Sequence, residues 1–272
     1  MAGAGDGDPA GDVEAPVDLG RDRCAERHLE SSVVDEEDAD EMVDNIFIQL
    51  DGNVIYKNRL LMLDVIANND WIRPIYFTGG SFGDDDYLWM KDFLQLDGVA
   101  YKLVPIQTPV NPRNPFEMGR IDSDKMYDIV KGWDWGNIED PNIYHDPETR
   151  KNTITYRSNL SRLVETLLNN GDTARAKEML DLGMEKMPVE YFGYYTLLEP
   201  FISGYFEVDE PEKAKEIWEK VARKYQENLK FYSGWDAERQ LNNADVIITD
   251  MERYRALVDL LFMYEAKIRR RR

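Results

Sequence analysis

The run Gly79-Gly80-Ser81-Phe82-Gly83-Asp84-Asp85-Asp86 places three carboxylates directly after a glycine-rich turn. A helix that starts after such a turn can cradle a phosphate, because its free N–H groups and positive dipole end face the ligand. Carboxylates at the same place repel an anion and suit the dipole themselves, so capping of the following helix is the simpler reading. No Lys-Ser or Lys-Thr follows the glycines and the GxGxxG spacing is absent, which excludes a P-loop and a dinucleotide fingerprint. A divalent cation held by Asp84, Asp85 and Asp86, bridging to a sugar phosphate, is the chemical alternative.

A second group is Gly132-Trp133-Asp134-Trp135-Gly136. Aromatic faces offer apolar contact to a sugar ring and a carboxylate accepts its hydroxyl protons, so Trp133, Asp134 and Trp135 could hold a carbohydrate. The competing reading makes the two indoles a plug at a domain joint. Cys24 is the single cysteine, and His28 and His145 are the two histidines. They do not supply an ordinary zinc ligand set, and no local motif suggests Ser-His-Asp or Cys-His catalysis. His145, in Tyr144-His145-Asp146-Pro147, reads as a hydrogen-bonded loop residue. Neither a cofactor nor a metal is expected.

The elements that would position the glycine turn alternate. Asn45 to Leu50 reads as a strand, with Asp51-Gly52 as its turn. From Asn58, the crowding of Leu60, Leu61, Leu63, Val65 and Ile66 predicts a mostly buried helix that stops at Asn68-Asn69-Asp70. Ile75 to Thr78 follows Arg73-Pro74 as a buried strand. Tyr87, Met90 and Leu94 then imply a helix ended by Asp97-Gly98, and Ala100 to Ile106 a third strand. This β-α-β-α-β order predicts a small, mainly parallel sheet. Asp122 or Ser123 caps a further helix carrying Met126, Ile129, Val130 and Trp133.

From Arg157 onward a helical repeat emerges. Ala174 to Leu180 recurs as Glu212 to Trp218, an offset of 38 residues against roughly 34 in a tetratricopeptide repeat. In the first unit Leu160, Leu163 and Leu167 line one helix, Gly171 makes the turn, Ala176 and Leu180 line the second, Gly183 permits close approach and Pro188 ends it. The second unit has Leu198, Phe201, Ile202 and Tyr205, then Asp209-Glu210-Pro211 at the turn, then Ala214, Trp218 and Val221. The extra residues fall in Glu190 to Tyr195. A final helix with Ile247, Met251, Tyr254, Val258, Leu261 and Ile268 on one face would cap the array. Arg269 to Arg272 complement its negative dipole end.

The 272-residue chain carries a net charge of −20, of which residues 1–45 supply 15 acidic and 3 basic side chains. That balance argues against nucleic acid as a partner. The early Gly, Ala, Asp and Pro content predicts disorder through residue 44. No signal peptide and no apolar run of transmembrane length is evident. The expectation is α+β: a disordered acidic segment at 1–44, a small α/β domain at 45–150 and a tetratricopeptide-like domain at 151–272.

The strings NRLLMLDVIANNDW, RPIYFTGGSFGDDDYLWMKDFLQLDGVAYKLVPI, MGRIDSDKMYDIV, WDWGN, YHDPETRKNTITYRSNL and MPVEYFGYYTLLEPF resemble the C-terminal region of the DUF2723 family of large bacterial multi-pass membrane proteins. The resemblance runs from about Val33 to Tyr264. It implies an origin beside a membrane part similar to protein O-mannosyltransferases, on the extracytoplasmic, periplasmic side. The acidic catalytic residues expected of that membrane part have no counterpart here, so no catalytic position carries over, and the chain reads as a fragment or a misassembled frame. The implied role is non-catalytic: binding or orienting an acceptor protein or a neighbouring subunit, with membrane contact only through the missing N-terminal part. Two alternatives stand beside it. One is a sugar- or sugar-phosphate-binding module or enzyme using Gly79 to Asp86 with Trp133, Asp134 and Trp135. The other is a free-standing soluble tetratricopeptide-like adaptor.

Overall fold

The computed structural model describes residues 13–18, 33–50, 54–69, 71–78, 88–109, 118–193 and 197–271. The architecture is α+β, with small antiparallel sheets first and helical hairpins after them. The chain divides into two compact units, Met1–Met126 and Tyr127–Arg272. The division therefore falls within a helix near residue 126 rather than at 150.

In the first unit β1 (Val13–Asp18) pairs antiparallel with β2 (Asn45–Leu50). A strand thus lies inside the segment expected to be disordered. Ile46 and Ile48 are buried while Phe47 between them is exposed, the alternation of a half-buried strand. Helix α1 (Lys57–Asn69) stops where the two asparagines predicted, but none of its residues is buried. Leu60, Leu61 and Val65 are exposed, and only Met62, Leu63 and Ile66 rest against the core. Its apolar residues surround the helix instead of forming one stripe, so a single supporting layer cannot cover them all.

The second sheet is β3 (Tyr76–Phe77), β5 (Ala100–Leu103) and β4 (Leu94–Asp97), in that spatial order and antiparallel throughout. The expected parallel sheet is overturned, and so is the helix through Leu94: a 3-10 turn (Leu88–Phe93) leads straight into β4. The reason is Asp97-Gly98. Gly98 has φ of 68° and closes a two-residue hairpin from Asp97 to Ala100. Glycine at the first of the two loop positions, Gly98-Val99, favours such a hairpin, and a parallel pair would have needed a long crossover. Gly119, at φ 73°, lets the chain lie beside β4, since a Cβ there would meet the Leu94 carbonyl oxygen at 2.6 Å. The Arg120 amide donates to the Leu94 carbonyl at 2.8 Å and the Leu96 amide to the Arg120 carbonyl at 2.9 Å. Met90, Phe93, Leu94, Leu103, Val104 and Ile106 join Ile46 and Ile48 in the core.

Helix α2 (Ser123–Lys131) is capped by Asp122, whose carboxylate accepts from the amides of Asp124 and Lys125. The hairpins follow. In the first, α3 (Pro147–Asn169) turns at Gly171 into α4 (Thr173–Lys186); Asp146 and Asp172 cap their N-termini. A short helix α5 (Val189–Phe192) occupies the stretch where the extra residues of the repeat were placed. In the second hairpin, α6 (Glu199–Glu207) turns into α7 (Pro211–Ser233). Leu160, Leu163, Leu167, Ala176, Leu180, Phe201, Ile202, Tyr205, Ala214 and Val221 are all buried. Glycine permits the closest packing: a Cβ on Gly183 would lie 2.7 Å from the Phe201 ring, and one on Gly204 2.9 Å from Leu180.

After α8 (Ala237–Asn242), the long α9 (Ala244–Arg271) covers α7. The Trp218 indole N–H donates to the Leu257 carbonyl at 2.8 Å, and Asp250 accepts from Asn228 and Tyr232 at 3.0 Å each. Phe206 and Tyr264 stack with centroids 4.6 Å apart. The covering face centres on Asp250, Leu257 and Tyr264, while Met251, predicted to lie on it, is exposed.

Candidate functional site

The first candidate, Gly79, Gly80 and Gly83 with Asp84, Asp85 and Asp86, lies outside the described residues. Trp133, Asp134 and Trp135 are described and lie just after α2. The two indoles meet edge to face at 5.4 Å, and both touch Tyr156 of α3, at 5.3 and 5.7 Å. Trp133 meets both partners edge to face and Trp135 tilts against Tyr156, which fixes the loop on α3. Asp134 accepts from the Gly136 amide at 3.0 Å and is otherwise open to solvent. The cluster leaves half-exposed indoles beside a carboxylate already used in a turn. His145 is a loop residue as expected, but aromatic packing holds it: its ring lies against Tyr191 and Phe192 at 5.7 and 5.6 Å, and Nε2 is buried without a hydrogen bond.

A polar cluster not foreseen from the sequence lies on the face of the second sheet opposite the core. Gln95 and Asp97 alternate with Leu94 and Leu96 along β4, and Lys102 faces Gln95 across the β4–β5 ladder while Tyr76 faces Lys102 across β3–β5. Asp97 accepts from Gln95 at 2.9 Å and from the Tyr76 hydroxyl at 3.2 Å. Burial, then the Asp97 charge, pushes the Tyr76 hydroxyl up to about 12. Burial, then nearby Lys125, pushes Lys102 down to about 8, against the attraction of Asp97 and Asp35. Asp122 is raised, first by burial and also by its hydrogen bond to Asp35. Lys125 pairs with Asp35 at 3.6 Å, and Arg120 with Asp38 at 2.8 Å and Glu41 at 3.5 Å. A lysine with so low a proton affinity could act as a nucleophile or base. Lys102 is 1% exposed, however, sealed in the sheet where Asp97 and Asp35 attract it and Lys125 repels it. The readable signal was Gln95 and Asp97 two residues apart before Gly98, once that glycine is taken as a hairpin turn.

The second unit offers an open trough. One hollow of about 440 Å³ is lined by residues including Asp181, Tyr205, Lys213 and Ile217, and another of about 550 Å³ by Arg150, Tyr191, Phe192, Arg223 and Lys224. Both include Val189, Glu190, Glu216 and Lys220, so they adjoin. Three features shape this surface. Arg157, fully buried, donates to the carbonyls of Met187 and Gly193 and so fixes the turn on either side of α5; burial pushes the guanidinium down to about 10. Asp181 accepts from Tyr205 at 2.8 Å and from Lys213 at 2.6 Å, and it is held below the usual carboxylate range by Lys213, Lys177 and Tyr205 against its burial. Lys220 bridges Glu190 at 2.7 Å and Glu216 at 2.8 Å. The trough is mixed in charge, aromatic at one end and built on helices, which suits a polypeptide better than a small buried ligand.

Residues 23–125 match a family described as TMEM260-associated domain 2. The match ends one residue before the boundary of the first unit and includes the Lys102 cluster. No curated protein and no solved structure matches the chain. Among the described residues, no helix is long and apolar enough to cross a membrane.

Proposed function

We propose that the chain is a non-catalytic, extracytoplasmic module of a membrane glycosyltransferase resembling the protein O-mannosyltransferases, and that it binds an acceptor protein or a neighbouring subunit. The continuous trough along α7, walled by α4 and α5, is the observation that carries this reading. It is open to solvent and lined by side chains from several helices, unlike the enclosed, mostly apolar cavities that bury small ligands. The match of residues 23–125 to a family described as TMEM260-associated domain 2 supports a role in association with another protein. The sealed position of Lys102 supports a structural role for the polar cluster around it.

Val189 lines both hollows. Val189→Trp is expected to fill the trough, to leave the melting temperature nearly unchanged, and to abolish co-purification of the chain with the membrane protein that carries the catalytic region. Equal recovery of wild type and variant would contradict the reading.

A further inference from the structure

The trough has one end with unengaged positive charge, and we propose that this end selects an acidic, aromatic-containing polypeptide segment. This inference rests on the trough being the binding surface. The end in question is the hollow of about 550 Å³, where α3 contributes Arg150 and α7 contributes Arg223 and Lys224. No hydrogen bond or ion pair among the described residues engages these three side chains, and the Arg150 Nε is buried without a partner.

Lys220 in the same hollow is already held by Glu190 and Glu216. Glu219 is the remaining carboxylate, so four cations face three anions there, a local surplus of +1 in a chain at −20. Residues 216, 219, 220, 223 and 224 recur at helical spacing and form one face of α7, which spreads the charge along a line. Tyr191 and Phe192 line the same hollow with their rings 5.0 Å apart, Tyr191 half-exposed and Phe192 buried beneath it. The Gly193 and Met187 carbonyls are turned to the buried Arg157. Their oxygens therefore do not crowd an incoming carboxylate.

A guanidinium without a partner is a strong bidentate receptor for a carboxylate. Tyr191, the half-exposed ring of the pair, is the one that meets a side chain of the same segment. The adjoining hollow extends the path toward Lys213 and Tyr205, so an extended chain fits where an isolated anion would fill only one end.

The test uses the full chain and fluorescence anisotropy with labelled synthetic peptides of alternating glutamate and tyrosine, lysine and tyrosine, or serine and tyrosine. The acidic peptide is expected to bind, with affinity falling as salt rises, and R223E/K224E to weaken it by about tenfold or more, which is ~1.4 kcal/mol. Arg223→Gln with Lys224→Gln, which removes charge without reversing it, is expected to give an intermediate loss, and circular dichroism checks that each variant folds. Equal binding of the serine peptide would overturn charge selection while leaving the trough as a polypeptide site. Binding of no peptide would overturn both. Acidic-peptide binding indifferent to the substitutions would place it elsewhere and overturn the inference. Vesicles of anionic phospholipid that bind in its stead, and lose binding in R223E/K224E, would assign the cations to lipid and also overturn it.

Discussion

Asp209 adopts the same left-handed backbone conformation, φ 61°, that Gly171 adopts at φ 80° in the preceding helical hairpin. The bonds around the two turns correspond as well. The Asp172 amide donates to the Leu167 carbonyl at 2.8 Å, and the Glu210 amide to the Tyr205 carbonyl at 2.8 Å. Ala176 and Ala214 then bond back to Asp172 and Glu210, at 3.1 and 3.2 Å, and both are fully buried. The 38-residue offset is therefore a repeat of backbone geometry, with aspartate tolerated where glycine stood.

The two turns predict unequal responses. Gly171→Ala forces a Cβ into the left-handed region and is expected to cost about 1–2 kcal/mol. Asp209→Gly relieves that strain but frees the unfolded chain, so its net effect is expected to stay within about 1 kcal/mol. Urea denaturation of the two variants checks this, and similar losses for both would contradict the shared register.

The register of α9 gives a second contrast. Leu257 is fully buried under the Trp218 contact, whereas Met251 is 54% exposed. Leu257→Ala is expected to cost about 2–5 kcal/mol, and Met251→Ala less than about 0.5 kcal/mol. Thermal melts that reverse this order would shift the helix face.

Arg157 predicts a loss that charge alone does not explain. Its guanidinium serves two backbone carbonyls, so Arg157→Met leaves them without donors and is expected to cost roughly 2–4 kcal/mol. Hydrogen exchange should rise first at Met187 to Gly193, and exchange unchanged there would contradict the role.

Burial pushes the Glu199 carboxyl up to about 7, with nearby Arg253 opposing. Below its ordinary value of 4.5 the group is neutral in both folded and unfolded chains and costs nothing. As pH rises, the unfolded chain ionises first, so stability falls and the loss is complete above the folded value. Glu199→Gln is therefore expected to gain on wild type by up to about 3 kcal/mol between roughly pH 5 and pH 8. A constant difference across that range would contradict the shift.

The helical hairpins were legible because several signals agreed: Gly171, Pro188, Ala176 and Ala214 each stand where the backbone turns, ends or packs closely. The sheet is not legible in the sequence because Tyr87, Met90 and Leu94 fit a helical spacing, while the residues after them belong to a hairpin that Gly98 alone announces. Burial in α1 was overestimated because its apolar residues have no common face. Of the candidate sites, the tryptophan cluster could be located but not its packing on Tyr156, which lies on another helix. The Lys102 cluster depends on cross-strand register, and Arg150 meets the α7 cations only through tertiary packing.

Photo-cross-linking tests the trough as a polypeptide-binding surface most directly. A benzophenone amino acid at position 219, on the trough wall, is compared with the same probe at position 255, an exposed site on α9. The chain is expressed with a membrane-embedded glycosyltransferase region of the kind the proposed function assigns to it. The expected result is a discrete protein adduct at 219 that Val189→Trp abolishes, with none at 255; no adduct at 219, or the same adduct from both positions, would contradict the account.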